Sequence, residues 1–325
     1  MSSNKALEVQ RLVKVYKGGI KAVNDVSFEV HENEIFGILG PNGAGKSTIM
    51  KTLVTLIGFT SGKVSVSGFK RPSGDSEIRQ LIGYVPQDIS ADGGLSGMEN
   101  MILSARLHGL HGKEMRSQID KTLGLVGILG AKDRLVITYS GGMIRKLEIA
   151  QALVHTPKII FLDEPTVGLD PIARDAILNY VKDLRSRFGV TVVITTHYME
   201  EADSICDRIA IMNRGKLVAV GTPRDLKARA GSASIIFEVN KVGAFKAKGM
   251  RVEGSTITIP SANPAAELPM YMQRLSSKGI LVRSAKVRET TLDDVFIKFT
   301  GNTIQDEESS WSSTRKTRKI AKRLG

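Results

Sequence analysis

One cysteine among 325 residues leaves no partner for an internal disulfide, and such sparing use fits a reducing compartment. That residue, Cys206 in "EADSICDRI", reads as a small buried hydrophobe on a helix. Long hydrophobic runs are also missing. No stretch approaches the roughly 20 apolar residues that a membrane-spanning helix needs. The opening "MSSNKALEVQ" lacks the apolar core of a secretory signal, so a cytoplasmic location is expected. There is no internal repeat. What remains is an ordinary globular composition, 42% hydrophobic and 24% charged, with a formal net charge of +13. The positive excess is spread along the chain and is dense only in "RKTRKIAKR" near the end, so charge by itself is a weak clue to an anionic partner.

Apolar patterning divides the chain. "LEVQRLVKVY" and "VNDVSFEV" alternate like strands, "IFGILG" is an apolar run ending in glycine, and "KVSVSG" alternates again. "LIGYV", "KIIFLD", "TVVITT" and "RIAIMN" are short apolar runs separated by helical patterns, which argues for an α/β fold with a mainly parallel sheet. Residues from about 90 to 135 turn helical and read as an insertion. Residues 231–301 offer "SIIFEV", "STITIP" and "ILVRSAKV" around a helical "AAELPMYMQRLSSKG", a small α+β appendage. Residues 302–325 are polar and aperiodic, and are expected to be a disordered basic tail.

"GPNGAGKST" fits G-x-x-x-x-G-K-[ST] directly between a strand and a helix. In that context Gly40, Pro41, Asn42, Gly43, Ala44, Gly45, Lys46, Ser47 and Thr48 form a phosphate cradle. The glycines let backbone N–H groups converge on phosphate oxygens, and the helix mouth adds its positive dipole end. Lys46 would reach the outer phosphates and the Ser47 hydroxyl would ligate Mg²⁺. "IIFLDEP" puts Asp163 at the end of a buried strand, where it can hold the ion, and Glu164 beside it on the other face, where it can activate a water. Gln87 in "GYVPQD" can touch both metal and water, and His197 in "VITTHYMEEAD" can bond the γ-phosphate while positioning Glu164. Taken singly, such a Gln or His is more often structural. Tyr16, upstream of the cradle, can stack on adenine, with a strand-end aromatic as the plain alternative. His108 and His111 read as loop residues.

A second glycine mouth follows in "YSGGMIRKLEIA": Ser140 caps a helix, and Gly141 and Gly142 carry no side chain to fend off a phosphate. Met143, Leu147, Ala150 and Val154 give that helix an apolar stripe. Asp170 in "GLDP" caps a helix that begins at Pro171 and ends at Gly189, and a site role at a subunit contact is equally open to it.

Together the cradle, Gln87, "YSGGM", "IIFLDEP", "GLD" and His197 resemble the ATP-binding-cassette ATPases, in that family's order and over about residues 5–230. The resemblance implies a P-loop NTPase core of mainly parallel sheet flanked by helices, with an antiparallel β subdomain and the helical insertion. It implies ATP and Mg²⁺ as cofactors, ATP hydrolysis as the activity, and Ser140, Gly141 and Gly142 as part of the active site of a second copy paired head to tail. Tyr139 and Met143 depart from the Leu and Gln commonest in the signature, and "YSGGM" with the closing "TLDDVFIKFTG" is similar to the daunorubicin-resistance branch of drug, lipid and polysaccharide exporters. The expected partner is an integral membrane permease on a separate chain, with this subunit peripheral on the cytoplasmic face and no specific nucleic acid involved. The rival expectation is a soluble ATPase of the same type acting on nucleic acid or ribosomes.

Overall fold

The computed structural model describes residues 4–243 and 245–301, so the expected tail at 302–325 lies outside the described residues. The chain divides into two compact units at Pro223/Arg224, seven residues before the boundary read from composition.

The first unit runs β1 (Lys5–Val15), β2 (Lys21–His31), β3 (Ile35–Leu39), α1 (Lys46–Leu53), β4 (Ser61–Val66), β5 (Phe69–Lys70), α2 (Asp75–Leu81) and β6 (Ile82–Val85). It continues α3 (Gly97–Leu107), α4 (Gly112–Leu125), α5 (Gly141–Leu153), β7 (Ile159–Asp163), α6 (Pro171–Phe188), β8 (Thr191–Thr196), α7 (Met199–Ile205), β9 (Arg208–Asn213) and β10 (Lys216–Gly221). One sheet has the order β10-β9-β3-β8-β7-β6; all its pairs are parallel except β10 on β9. Its inner strands β3, β7 and β8 are buried along their whole length, which is why they read as apolar runs and do not alternate. The second sheet, β2-β1-β4-β5, is antiparallel and alternates, one face turned to the core. Leu7, Val9, Val26 and Val64 from it share a core with Phe36, Ile38, Ile49 and Phe161, and Phe28 stacks on Phe36 at 5.4 Å.

Local chemistry sets the helix ends. Asp170 accepts from the Ala173 N–H at 2.9 Å, Pro171 opens α6, and Gly189 closes it in the left-handed region at φ 65. α1 stops at Leu53, short of the helix that "TIMKTLVTLI" promises. Thr55 turns to φ 66, and the buried Arg71 guanidinium, paired with Asp75, donates to the carbonyls of Thr52 and Ile57. A distant side chain thus replaces the next helical turn.

His108, read from sequence as a loop residue, caps the end of α3 and lies flat against His155, ring centroids 3.6 Å apart. His155 Nε2 bonds the Ile82 carbonyl at 2.9 Å, while its Nδ1 is buried without a partner.

The second unit contains α8 (Pro223–Ala230, from its second residue), β11 (Ser234–Val239), β12 (Arg251–Glu253), β13 (Thr256–Pro260), α9 (Pro264–Ser276), β14 (Val282–Arg288) and α10 (Leu292–Thr300). The antiparallel order is β12-β13-β11-β14. Tyr271 and Leu275 of α9 pack on Ile235, Phe237, Ile257 and Ile259 from one face of that sheet. β12 escapes sequence reading because it is a three-residue edge strand, exposed throughout.

Burial, aided by the neighbouring His108, pushes His155 down to about 4, so the fold favours its neutral ring. A lowered histidine stabilises above its unfolded value, near 6.5, and that contribution is lost as pH falls toward 4. His155→Phe should keep the stacked ring and flatten the fall in stability between pH 6.5 and 4, read by urea unfolding at stepped pH.

Candidate nucleotide site

β3, β8 and β7 are neighbours, paired in the order Leu39 with Thr196 and Asp163 with Thr195. Their carboxyl ends therefore deliver the cradle, His197 and Glu164 to one edge of the sheet, the place where open α/β sheets hold ligands. Gly45 opens α1 at φ 102, and a Cβ there would fall 2.4 Å from the Ala22 carbonyl oxygen, so only glycine fits. Lys46 is 3% exposed; its ammonium donates to the Gly40 carbonyl at 2.7 Å and the Pro41 carbonyl at 3.2 Å, and lies 3.0 Å from Glu164 Oε1. Tyr16 stands beside the cradle, its hydroxyl 3.4 Å from that of Thr48.

The two adjacent acids do different things. Asp163 Oδ1 accepts from the Ser47 hydroxyl at 3.2 Å and from the Thr195 hydroxyl at 2.6 Å. Burial raises its carboxyl above the usual range, against the pull of those two hydroxyls. Glu164 sits at φ 48, an uncommon conformation for a residue with a side chain. That turn at the strand end swings its carboxylate to Lys46, to the Gln87 amide, which donates at 3.3 Å, and to His197 Nδ1 at 3.4 Å. Burial would raise the Glu164 carboxyl, but His197 and Lys46 beside it more than offset this and hold it below the ordinary carboxylate range.

The second glycine mouth is built separately. Ser140 accepts from the Met143 N–H at 3.3 Å and caps α5. Gly141 is exposed, with Leu169 at ordinary contact distance; a Cβ on Gly142 would stand 2.9 Å from the Ala173 Cβ at the start of α6. Neither neighbour is a cradle residue. Of the expected stripe on α5, Leu147, Ala150 and Val154 are buried and Met143 is half-buried. Tyr139, just before the mouth, is buried and donates to the Ala131 carbonyl at 2.7 Å, which fixes the end of the helical insertion.

Two residues of this region carry no signal in the sequence. Thr195 accepts from the Glu164 N–H at 2.9 Å while donating to Asp163, and Glu201 accepts from Thr166 at 2.7 Å and Thr196 at 2.8 Å. In the sequence Thr195 is one more β-branched strand residue and Glu201 one more acid on a short helix; pairing alone gives them their places.

The ABC transporter family profile matches residues 23–167. The chain is 36% identical to the daunorubicin/doxorubicin resistance ATP-binding protein of Streptomyces peucetius, over 94% of this chain and 95% of that protein. It belongs to the ABC transporter family. As an ABC ATPase it is also 35% identical to the linearmycin resistance ATP-binding protein of Bacillus subtilis strain 168, across 92% of this chain and 100% of that one. A dimeric ATP-binding cassette solved in a post-hydrolysis state with ADP and Pi superposes with a TM-score of 0.61 and 28% identity, covering 66% of this chain and 98% of that one. The P-loop ATPase fold and the nucleotide-hydrolysing class follow from this kinship.

Thr195→Val should strip Asp163 of its shortest donor and cost about 1–3 kcal/mol of stability, measured by urea unfolding, while Thr195→Ser restores most of it.

Proposed function

We propose that this subunit hydrolyses ATP to power an exporter of the drug, lipid or polysaccharide type. It works as a head-to-tail pair of copies on the cytoplasmic face of the membrane, beneath a separate integral permease. The observation that carries this is the Glu164 carboxylate held between Lys46, Gln87 and His197, beside the Asp163–Ser47 pair.

Ser47 and Asp163, 3.2 Å apart, are hard oxygen donors of the kind Mg²⁺ takes next to nucleotide phosphates, and with Gln87 they would hold it. Bound there, Mg²⁺ supplies charge neutralisation on phosphate oxygens. The remaining work belongs to the chain. The N–H groups from Gly43 to Thr48 and the Lys46 ammonium bind the phosphates, and Tyr16, its hydroxyl 3.4 Å from that of Thr48, stacks on the base. Glu164, kept ionised by its neighbours, orients the attacking water and takes its proton; His197 and Gln87 fix the angle of that carboxylate. Ser140, Gly141 and Gly142 close on the nucleotide held by the other copy, with Asp170 at the contact. ATP drives closure through its greater affinity for the paired state, and hydrolysis releases it.

Drug-type export is supported by relatives named for resistance to daunorubicin, doxorubicin and linearmycin. A separate permease is supported by two facts: no described helix is long and apolar enough to cross a membrane, and α3 presents Leu103 and Leu107 to solvent, 53% and 80% exposed.

Glu164→Gln should bind ATP and accumulate as a dimer in analytical ultracentrifugation; a monomer at saturating ATP counts against the pairing. Adding Gly141→Asp to that variant should abolish the dimer while nucleotide affinity of the single subunit is kept. Gly141 is the better position for this test, because Gly142 also answers to Ala173 within its own subunit. Lys46→Ala should lose nucleotide binding, read by equilibrium dialysis.

A further inference from the structure

Two buried charges take no part in the chemistry above. Arg145 and Glu148 lie one turn apart on α5, the helix that begins at the Ser140–Gly142 mouth, and are 5% and 3% exposed. The Arg145 guanidinium donates to the Pro86 carbonyl at 2.8 Å and the Gln87 carbonyl at 3.1 Å, and lies 2.9 Å from Glu148 Oε2. The other Glu148 oxygen accepts from the Ser90 N–H at 2.5 Å and the Ser90 hydroxyl at 3.0 Å.

Residues 87–90 are thus an exposed segment fastened from beneath by buried charges. Gln87 belongs to both ends of the connection: its side chain donates to Glu164 in the nucleotide site, and its carbonyl accepts from α5. If this segment moved while α5 stayed, Arg145 would lose both carbonyls and Glu148 both Ser90 donors, leaving the buried pair only each other, a state the protein interior disfavours. The planar two-pronged guanidinium also fixes direction as well as distance, which a single ammonium cannot do. Segment and helix must therefore shift as one body.

We propose that Arg145 and Glu148 are positioning residues that transmit the state of the subunit's own nucleotide site, sensed through Gln87, to the Ser140–Gly142 mouth that serves the partner copy. This rests on the in-trans reading above. The pair makes occupancy of one site bear on the geometry of the other, which is a coupling between sites in the thermodynamic sense.

The test uses the full chain carrying Glu164→Gln, with ATP-dependent dimer followed by analytical ultracentrifugation and turnover measured in the otherwise unaltered chain. Arg145→Met with Glu148→Gln removes both charges together, so that neither is left buried alone. Nucleotide affinity of the single subunit should stay within about twofold. The ATP concentration needed for the dimer should rise about tenfold, and kcat should fall by a similar factor. Loss of packing alone would instead move unfolding and affinity together. Arg145→Lys, which reaches only one carbonyl, should recover part of the effect. If the double variant does not fold, Glu148→Gln alone carries the test: it retains an oxygen for Ser90, and dimerisation and kcat equal to the parent's overturn the inference. A parent that stays monomeric with ATP overturns the in-trans reading and this inference with it. A parent that pairs while a folded double variant matches it in both measures overturns this inference alone.

Discussion

Three parallel strands paired without a shift of register decide where the reactive groups stand. β3 lies against β8 and β8 against β7, so the loops leaving them begin at the same level of the sheet. A slip of one residue would reverse the faces of Asp163 and Thr195 and separate Ser47 from its acid. The slip is prevented by burial: β3, β7 and β8 are enclosed on both sides, and their Ile, Leu, Val and Phe side chains fit one arrangement. The antiparallel sheet contributes by closing this core, with Phe28 lying on Phe36.

Upon that frame sits a set of buried charges. Lys46, Asp163, Glu164, Glu201, Arg145 and Glu148 are all nearly inaccessible. None is an isolated ion, since each meets an opposite charge, a hydroxyl or a backbone carbonyl. Such arrangements add little net stability compared with apolar packing, because desolvation consumes most of the attraction. What they supply is direction. Hydroxyls of Thr195, Thr166 and Thr196 aim the carboxylates, and the guanidinium of Arg145 aims a whole loop.

Much of this is legible in the sequence alone. The cradle is a short covalent stretch whose geometry follows from its own spacing, and the α6 caps at Asp170 and Gly189 are likewise local. The groups at the C-terminal edge of the sheet were readable because each follows an apolar run. What stayed hidden depends on contacts between distant segments. The left-handed turn at Glu164, the early end of α1 under Arg71, the stacking of His155 on His108 and the ties from α5 to residues 86–90 leave no periodic trace. Arg145 and Glu148 look like the solvent side of an amphipathic helix, and tertiary packing reverses that appearance.

The contact of Gly142 with Ala173 has a consequence for how this chain tolerates change. A position that serves a single neighbour can drift, because an enlargement on one side is matched by a reduction on the other. Gly142 meets the first turn of α6 on its inner side and, under the proposed pairing, a phosphate on its outer side. A smaller residue at 173 relieves the first demand and leaves the second as it was, and no substitution elsewhere makes a phosphate smaller. Compensation through one partner is therefore closed to it, and the bareness of this position is constrained twice over.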